Sequence, residues 1–397
     1  MEAHPRHSNF LLPGIICLGA VLRIPITSIP PILTTVAKGL NVNVTSLGIL
    51  TTLPLLAFAF FSPLAPKLAH KLGNEGAFVA VLLLMIVGSI LRIFSVPLMF
   101  AGTLLLGIGI SQMNVLLPTI ITANFPHKIG LYTAMYTFTM GLMTAVASML
   151  AVPITNATSW QALIILLTVM IGLALLVWLP NLKFNQHLTP HRHPHQVASS
   201  PRISVWQNKK AWLLLIFMGI QSAIFYTSIA WLPTIASDAG LSPSLAGILA
   251  GINALVSLPV SFLVPNFVTR FTKHKRQLFV LLATSSALIS FTMLLFPTAN
   301  FSYWLLLNIF NGLATGSLFP YLMASFSNKT RNATETAELS GMVQAGGYLL
   351  AAIGPVLFGN AYAHFHSWTP QIVVMLFAIM IMGWAGYLVE KTDKIFN

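Results

Sequence analysis

The stretch Trp160-Gln-Ala-Leu-Ile-Ile-Leu-Leu-Thr-Val-Met-Ile-Gly-Leu-Ala-Leu-Leu-Val-Trp-Leu179 runs without a charged residue and ends at Pro180-Asn-Leu-Lys183. At 1.5 Å per helical residue, about 20 residues cover about 30 Å, the thickness of a bilayer's hydrocarbon core. An apolar run of this length reads as a membrane-spanning helix. Strands of a membrane barrel alternate polar and apolar residues over about ten positions, so a barrel is disfavoured. The composition agrees: of 397 residues 56% are apolar and 7% charged. A water-soluble domain carries about 25% charged residues, and a disordered chain is poor in the Leu, Ile, Val and Phe abundant here.

Outward from that span, charged and Pro/Gly/Asn-rich breaks divide the chain into twelve such stretches. They cover 10–36, 45–66, 76–93, 98–121, 129–153, 159–179, 211–235, 242–266, 277–296, 302–326, 335–359 and 369–389. The predicted fold class is all-α, a polytopic membrane protein of twelve transmembrane helices. Placing both termini in the cytoplasm gathers 17 of the 20 Lys and Arg on that side, among them Arg6, Lys67, Lys71, Arg192, Arg202, Arg276 and Lys329. The net charge of +13 is thereby accounted for by topology in a cell membrane, and no nucleic-acid partner is needed. Lys38 and Arg92 fall at outer ends of spans, which leaves Arg23. The single cysteine, Cys17, excludes an intrachain disulfide.

The polar segment 181–210 separates residues 1–180, an N-terminal six-helix half, from residues 211–397, a C-terminal one. A shift of 202 positions places Pro31 on Pro233, Pro63 on Pro265, Pro118 on Pro320 and Pro153 on Pro355. Halves with an even number of spans are parallel repeats, and folds of this kind hold their solute between the halves near the midplane. His187, His191, His193 and His195 of the linker could face a metal, but no Cys or carboxylate joins them, so a solvated linker with no metal and no cofactor is expected.

Arg23 lies 13 residues into the first span, about 20 Å deep. A buried arginine is costly in hydrocarbon and therefore faces a bundle interior or a wet pathway. No acid within the spans is placed to neutralise it: Glu2, Glu75, Glu390 and Asp393 fall in tails or loops, Asp238 near an outer end, and Glu335 and Glu338 at the start of span eleven. One fixed cation without a fixed anion attracts anions or solutes with an electronegative group, and a guanidinium fork suits an oxyanion or nitro group. The alternative is a packing role, with the side chain snorkelling or bound to helix-end carbonyls. Gly19, Thr27 and Pro30 recur with Arg23 on one helical face, and Pro25, Pro30 and Pro31 break the outer part of the span.

Gln221, Asn253, Asn311 and Gln344 reach comparable depth, Asn114 and Tyr226 lie somewhat off centre, and Gln344 and Tyr348 share a face. Such residues serve either as solute contacts or as interhelix hydrogen bonds. The candidate solute-binding set is Arg23, Thr27, Asn114, Gln221, Tyr226, Asn311, Gln344 and Tyr348. The basic loops Ser62–Gly73 and Val264–Arg276 suit either conformation-dependent contacts or topology alone.

With these residues in place, the chain resembles transporters of the major facilitator superfamily, and within it the cyanate permease and 2-nitroimidazole transporter family. The resemblance rests on Leu22-Arg-Ile-Pro-Ile-Thr-Ser28, Asn114-Val-Leu-Leu-Pro118, Gly219-Ile-Gln-Ser-Ala-Ile-Phe-Tyr226, Ala230-Trp-Leu-Pro233, Asp238-Ala-Gly-Leu241 and Ala337-Glu-Leu-Ser-Gly-Met-Val-Gln-Ala-Gly-Gly-Tyr-Leu-Leu350. Pro66 and Lys67 stand where the superfamily's basic loop motif has Asp-Arg. The resemblance implies alternating access through a central cavity and a small polar or anionic cargo. A monomer is expected, with the solute and the bilayer as its partners. Efflux of neutral hydrophobic drugs is the other transport reading. A coupling proton has only Glu335 and Glu338 as nearby acids, so coupling and facilitated diffusion both stay open. A membrane-embedded enzyme is disfavoured because no His-Glu-x-x-His motif or mid-membrane acid is present.

Overall fold

A computed structural model describes residues 8–42, 47, 49–185 and 205–396. Arg6, Glu2 and the linker residues His187, His191, Arg192, His193, His195 and Arg202 lie outside the described residues. The described chain is all-helical, with twelve helical stretches long and apolar enough to cross a membrane. The helices of the first six spans are α1 (Leu11–Val21), α2 (Ile24–Thr27), α3 (Leu33–Gly39), α4 (Ile49–Phe61), α5 (Ala65–Leu72), α6 (Asn74–Leu91), α7 (Val96–Asn124), α8 (Ile129–Ala157) and α9 (Trp160–Trp178). Those of the last six are α10 (Lys209–Asp238), α11 (Pro243–Arg270), α12 (Lys273–Met293), α13 (Phe301–Asn328), α14 (Ala333–Phe365) and α15 (Thr369–Val389).

Local sequence sets many of the helix starts. Ser159, Asn208, Ser242, Asn300 and Asn332 each accept a backbone N–H of the first turn, which places the starts of α9, α10, α11, α13 and α14 where polar residues meet apolar runs. The first span departs from one bent helix. Pro25 lacks an N–H and its ring crowds the carbonyl four residues back, and α1 stops at Val21, that fourth residue. Leu22 and Arg23 form the break, α2 follows, and Pro30–Ile32 is a 3-10 turn. The two expected basic loops are largely helical instead. Ser62–Leu64 is a 3-10 turn leading into α5, and α11 runs on to Arg270 before α12 starts at Lys273.

Apolar side chains exposed in bulk lie on α6, α9, α12 and α15, among them Leu83, Val169, Leu282 and Phe377. A belt of this size has hydrocarbon as its natural neighbour. The two sets of six meet through α4 with α14, α7 with α14 and α8 with α11. Their joining contacts gather on the side that carries both described chain ends. Thr137 Oγ1 donates to Ser261 O at 3.4 Å, Ser327 Oγ to Pro118 O at 3.1 Å, and the Thr122 and Thr336 hydroxyls are 3.4 Å apart.

Two charge expectations are corrected on this side. Glu390, expected in an exposed tail, is fully buried, and Arg276 and Lys329, expected as topology charges, are buried with it. Glu390 accepts from Arg276 Nε at 2.7 Å, from Lys329 Nζ at 2.9 Å and from the Tyr321 hydroxyl. Two cations and a phenol thus satisfy the oxygens of a carboxylate held in the interior. Asp393 adds contacts to Lys273 at 2.8 Å and Arg276 at 3.4 Å, and Lys329 Nζ donates to Thr392 O at 2.9 Å, so the segment after α15 is tied to the start of α12 and the end of α13.

Candidate functional site

The break in the first span shapes the candidate site. Arg23 stands as the cap residue before α2, with its own carbonyl accepting the N–H groups of Ile26 and Thr27, both at 3.0 Å. Thr27, expected to meet solute, donates its hydroxyl to that same carbonyl at 3.1 Å. The break is fastened from outside by Arg92, whose Nη1 donates to Pro25 O at 2.8 Å. Arg92, expected at the outer end of a span, caps the end of α6 and is only 1% exposed. The freed carbonyl before the turn gives the buried guanidinium its acceptor.

So fixed, the Arg23 guanidinium reaches across to the last six spans. Nη1 donates to the Tyr226 hydroxyl at 3.2 Å. The guanidinium carbon lies 5.5 Å from the Phe225 ring centre, 5.6 Å from that of Phe319 and 6.0 Å from that of Tyr226, all within cation–π range. Among the described residues no carboxylate pairs with it. Aromatic faces and one hydroxyl compensate this half-buried cation only in part, so the site retains a positive potential.

Tyr348 lies within electrostatic reach of both Arg23 and Tyr226, and Tyr136 within reach of Tyr348. The Tyr348 ring packs edge-on to Phe58 at 4.8 Å. Tyr136 comes close because α1 offers Gly19 there: a Cβ on Gly19 would stand 2.8 Å from the Tyr136 carbonyl oxygen. The hydroxyls of Tyr136 and Tyr348 are buried without a hydrogen-bond partner. Native interiors leave few such groups, and a cluster of them beside an unpaired cation marks a place that a polar solute can satisfy.

Gln344, one turn from Tyr348, donates to Asn114 O at 3.1 Å and to Ser340 Oγ at 2.7 Å. Gln344 Oε1 and Asn114 Nδ2 are also unpartnered. This pair joins the two sets of helices on the chain-end side of the tyrosines. Two expected members lie elsewhere. Gln221 donates to Ser222 Oγ at 2.6 Å within its own helix, and Asn311 donates to Ser228 Oγ at 3.1 Å while accepting from Asn253. The structure thus brings Arg23, Tyr226 and Tyr348 together, adds Gln344 and Asn114 beneath them, and assigns Thr27, Gln221 and Asn311 to other contacts.

Phe225, Phe319, Tyr136 and Arg92 were not anticipated. Tyr136 had a readable signal, since Tyr132, Thr133, Tyr136 and Thr137 line a hydroxyl stripe at helical spacing. The two phenylalanines had none, because nothing in an apolar span distinguishes a ring facing a cation from one facing lipid.

Comparison with known proteins adds the following. Residues 15–304 match the family model described as Major Facilitator Superfamily. The chain is 38% identical to the uncharacterized transporter YycB of Bacillus subtilis (strain 168), over 99% of this chain and 98% of that protein. It is 35% identical to a 2-nitroimidazole transporter of Escherichia coli (strain K12), over 97% and 96%. It is 23% identical to the cyanate transport protein CynX of the same organism, over 88% and 89%. Among solved structures, the proton:xylose symporter XylE bound to 6-bromo-6-deoxy-D-glucose superposes with a TM-score of 0.75 at 15% identity, covering 96% of this chain and 94% of that one.

Proposed function

Since the chain belongs to the Major Facilitator Superfamily and is a multi-pass membrane transporter, we propose that it moves a small anionic or electronegative polar solute by alternating access past Arg23. The observation that supports this reading is a half-buried guanidinium at the junction of the two six-helix sets, met by the Tyr226 hydroxyl and the rings of Phe225, Tyr226 and Phe319 and, among the described residues, by no acid. A solute carrying a carboxylate, oxyanion or nitro group completes the fork that a single hydroxyl leaves open. The relatives that carry 2-nitroimidazole and cyanate by name fit the same chemistry.

In this reading the helices before and after residues 181–210 act as two bodies, and the face with the chain ends is cytoplasmic. The hydrogen bonds joining the two sets on that face support a solute that reaches Arg23 from the opposite side. No carboxylate meets Arg23 among the described residues, and Glu335, one of the two nearest acids, accepts the Arg331 N–H at 2.8 Å on the chain-end face. A coupling proton would therefore have to be carried away from Arg23, and uptake measured with and without an imposed proton gradient distinguishes coupling from facilitated diffusion.

Uptake of nitroimidazole, cyanate and aromatic carboxylates into proteoliposomes tests the reading. Arg23→Gln should insert and fold normally yet lose uptake by more than about 100-fold, the loss of a charged hydrogen-bond pair. Arg23→Lys should retain part of it, because the charge stays and the fork is lost. Normal uptake by Arg23→Gln would return Arg23 to a packing role.

A further inference from the structure

The helices α8 and α11 touch over only part of their length. Toward the chain-end face Thr137 donates to Ser261 O, and a Cβ on Gly141 would stand 3.1 Å from Leu258 Cδ2. Further out the contact ends. Met149 of α8 and Leu255 of α11 are exposed, and a Cβ on Gly247 or Gly251 of α11 would meet nothing. The α14 helix behaves alike: a Cβ on Gly341 would stand 3.2 Å from Ser62 O, whereas Ile353 and Leu357, further along, are exposed. With the chain-end seam joined by hydrogen bonds, the hydration that the half-buried Arg23 keeps comes from the open side.

Alternating access requires the outer parts of these helices to meet in their turn, and that closure strips Arg23 of its water. Taking a lone ion out of water costs several kcal/mol even after the protein relaxes, unless an opposite charge goes with it. The chain holds no such charge ready. Glu390 and Asp393 are engaged by Arg276, Lys329 and Lys273, Asp238 accepts from Trp368, and Glu335 accepts the Arg331 N–H. Among the described residues no ion pair includes Arg23. A bound monovalent anion supplies the missing charge, and cation and anion are then enclosed as a neutral pair. The unloaded carrier has to close over a guanidinium that faces one hydroxyl and three rings. A proton taken up for the return would add to that charge rather than cancel it.

We infer that the protein is an exchanger: it turns over readily in either direction only with an anion on Arg23, so one anion leaves for each that enters, and net uptake into a compartment without a counter-anion is slow. The inference rests on Arg23 being the solute's contact. It adds a rule for the transport cycle, that the unloaded return is the slow step, and a driving force, the outward gradient of the returning anion.

Two measurements on the full-length protein test it. In the first, proteoliposomes take up labelled cyanate or labelled benzoate, with the same unlabelled anion either inside or absent. Potassium on both sides with valinomycin prevents a membrane potential from halting net uptake, and protein-free vesicles give the leak. Preloading should speed initial uptake at least about 100-fold, equivalent to about 2.7 kcal/mol on the barrier of the unloaded return. The second needs no solute. With Cys17→Ser, a thiol placed by Thr336→Cys is buried in the closed seam and reacts with a soluble reagent only when that seam opens. At reagent concentrations where opening limits the reaction, labelling of the unloaded protein should be slow. Arg23→Gln should speed it at least about tenfold, and Arg23→Lys, which keeps the charge, should leave it slow. Equal uptake with and without preloading, lost in Arg23→Gln, would overturn the exchange and keep the Arg23 contact. Undiminished uptake by Arg23→Gln would overturn the contact and the exchange with it. If neither probe enters preloaded vesicles, the thiol decides alone: labelling at one rate in wild type, Arg23→Gln and Arg23→Lys overturns the inference, and acceleration confined to Arg23→Gln upholds it.

Discussion

Tyr226 supplies the hydrogen bond that orients the Arg23 guanidinium, and its ring is one of three that face the cation. Tyr226→Phe keeps the ring and removes only the hydroxyl. A hydrogen bond to a charged group is worth about 1.5–3 kcal/mol, so solute affinity should fall about tenfold or more while unfolding temperature barely moves. Concentration-dependent uptake beside a thermal melt checks both halves; a large stability loss with unchanged affinity would make the tyrosine structural. Arg23 itself was legible in the sequence because a charge deep in an apolar run has few innocent explanations. Tyr226, 203 positions away, stood in the candidate set without being assigned to Arg23, whereas Phe225 and Phe319 carried no signal at all. Residue count gives depth in the membrane, but not which helix faces which. Gln221, Asn311 and Thr27 show the consequence: each has polar atoms at suitable depth, and each makes its contacts elsewhere.

Elements depend on such fixings in their turn. Pro25 announced a break in the first span, but the group that holds the break, Arg92 on Pro25 O, could not be read from a sequence that puts it at the end of another helix. Arg92→Met leaves that carbonyl buried and unsatisfied, a cost of about 1–3 kcal/mol, and should also loosen the presentation of Arg23. Reduced stability together with weaker solute binding, both partly restored by Arg92→Lys, is the expected pattern in melts and binding curves. The cluster around Glu390 gives a pH-dependent case. Burial pulls the Lys329 ammonium below the ordinary lysine range, and Glu390 opposes that pull. Removing one partner of a buried ion pair costs about 3–5 kcal/mol, so Glu390→Gln should be strongly destabilised near neutral pH. With the opposing charge gone, the folded form binds its proton on Lys329 more weakly than the unfolded chain does. Stability of the variant should therefore rise as pH climbs toward the usual lysine value of 10.5, more steeply than in the wild type. Melting temperature against pH for the two proteins decides it.

At the scale of the whole molecule, twelve spans were legible because the bilayer imposes one length on every crossing. The closed seam between the two sets of helices was not, because it depends on close approaches between distant segments. Gly130 shows how close: a Cβ there would stand 2.3 Å from Thr269 Oγ1 and 2.6 Å from Pro265 O, so the start of α8 meets α11 only with glycine in place. Gly130→Val should therefore disfavour the closed chain-end face without touching Arg23. If transport proceeds by opening and closing this seam, a forced opening shifts the population of the molecule and slows the cycle even though the solute contacts are intact. The Thr122 and Thr336 hydroxyls, 3.4 Å apart across the seam, offer a reporter. With Cys17→Ser to leave no native thiol, Thr122→Cys combined with Thr336→Cys should crosslink readily, stop uptake while oxidised, and recover when reduced. Adding Gly130→Val should slow the crosslinking and lower uptake by about tenfold with solute binding retained. Full uptake by the oxidised double-cysteine protein would mean that this seam stays shut throughout transport and that the moving interface lies elsewhere.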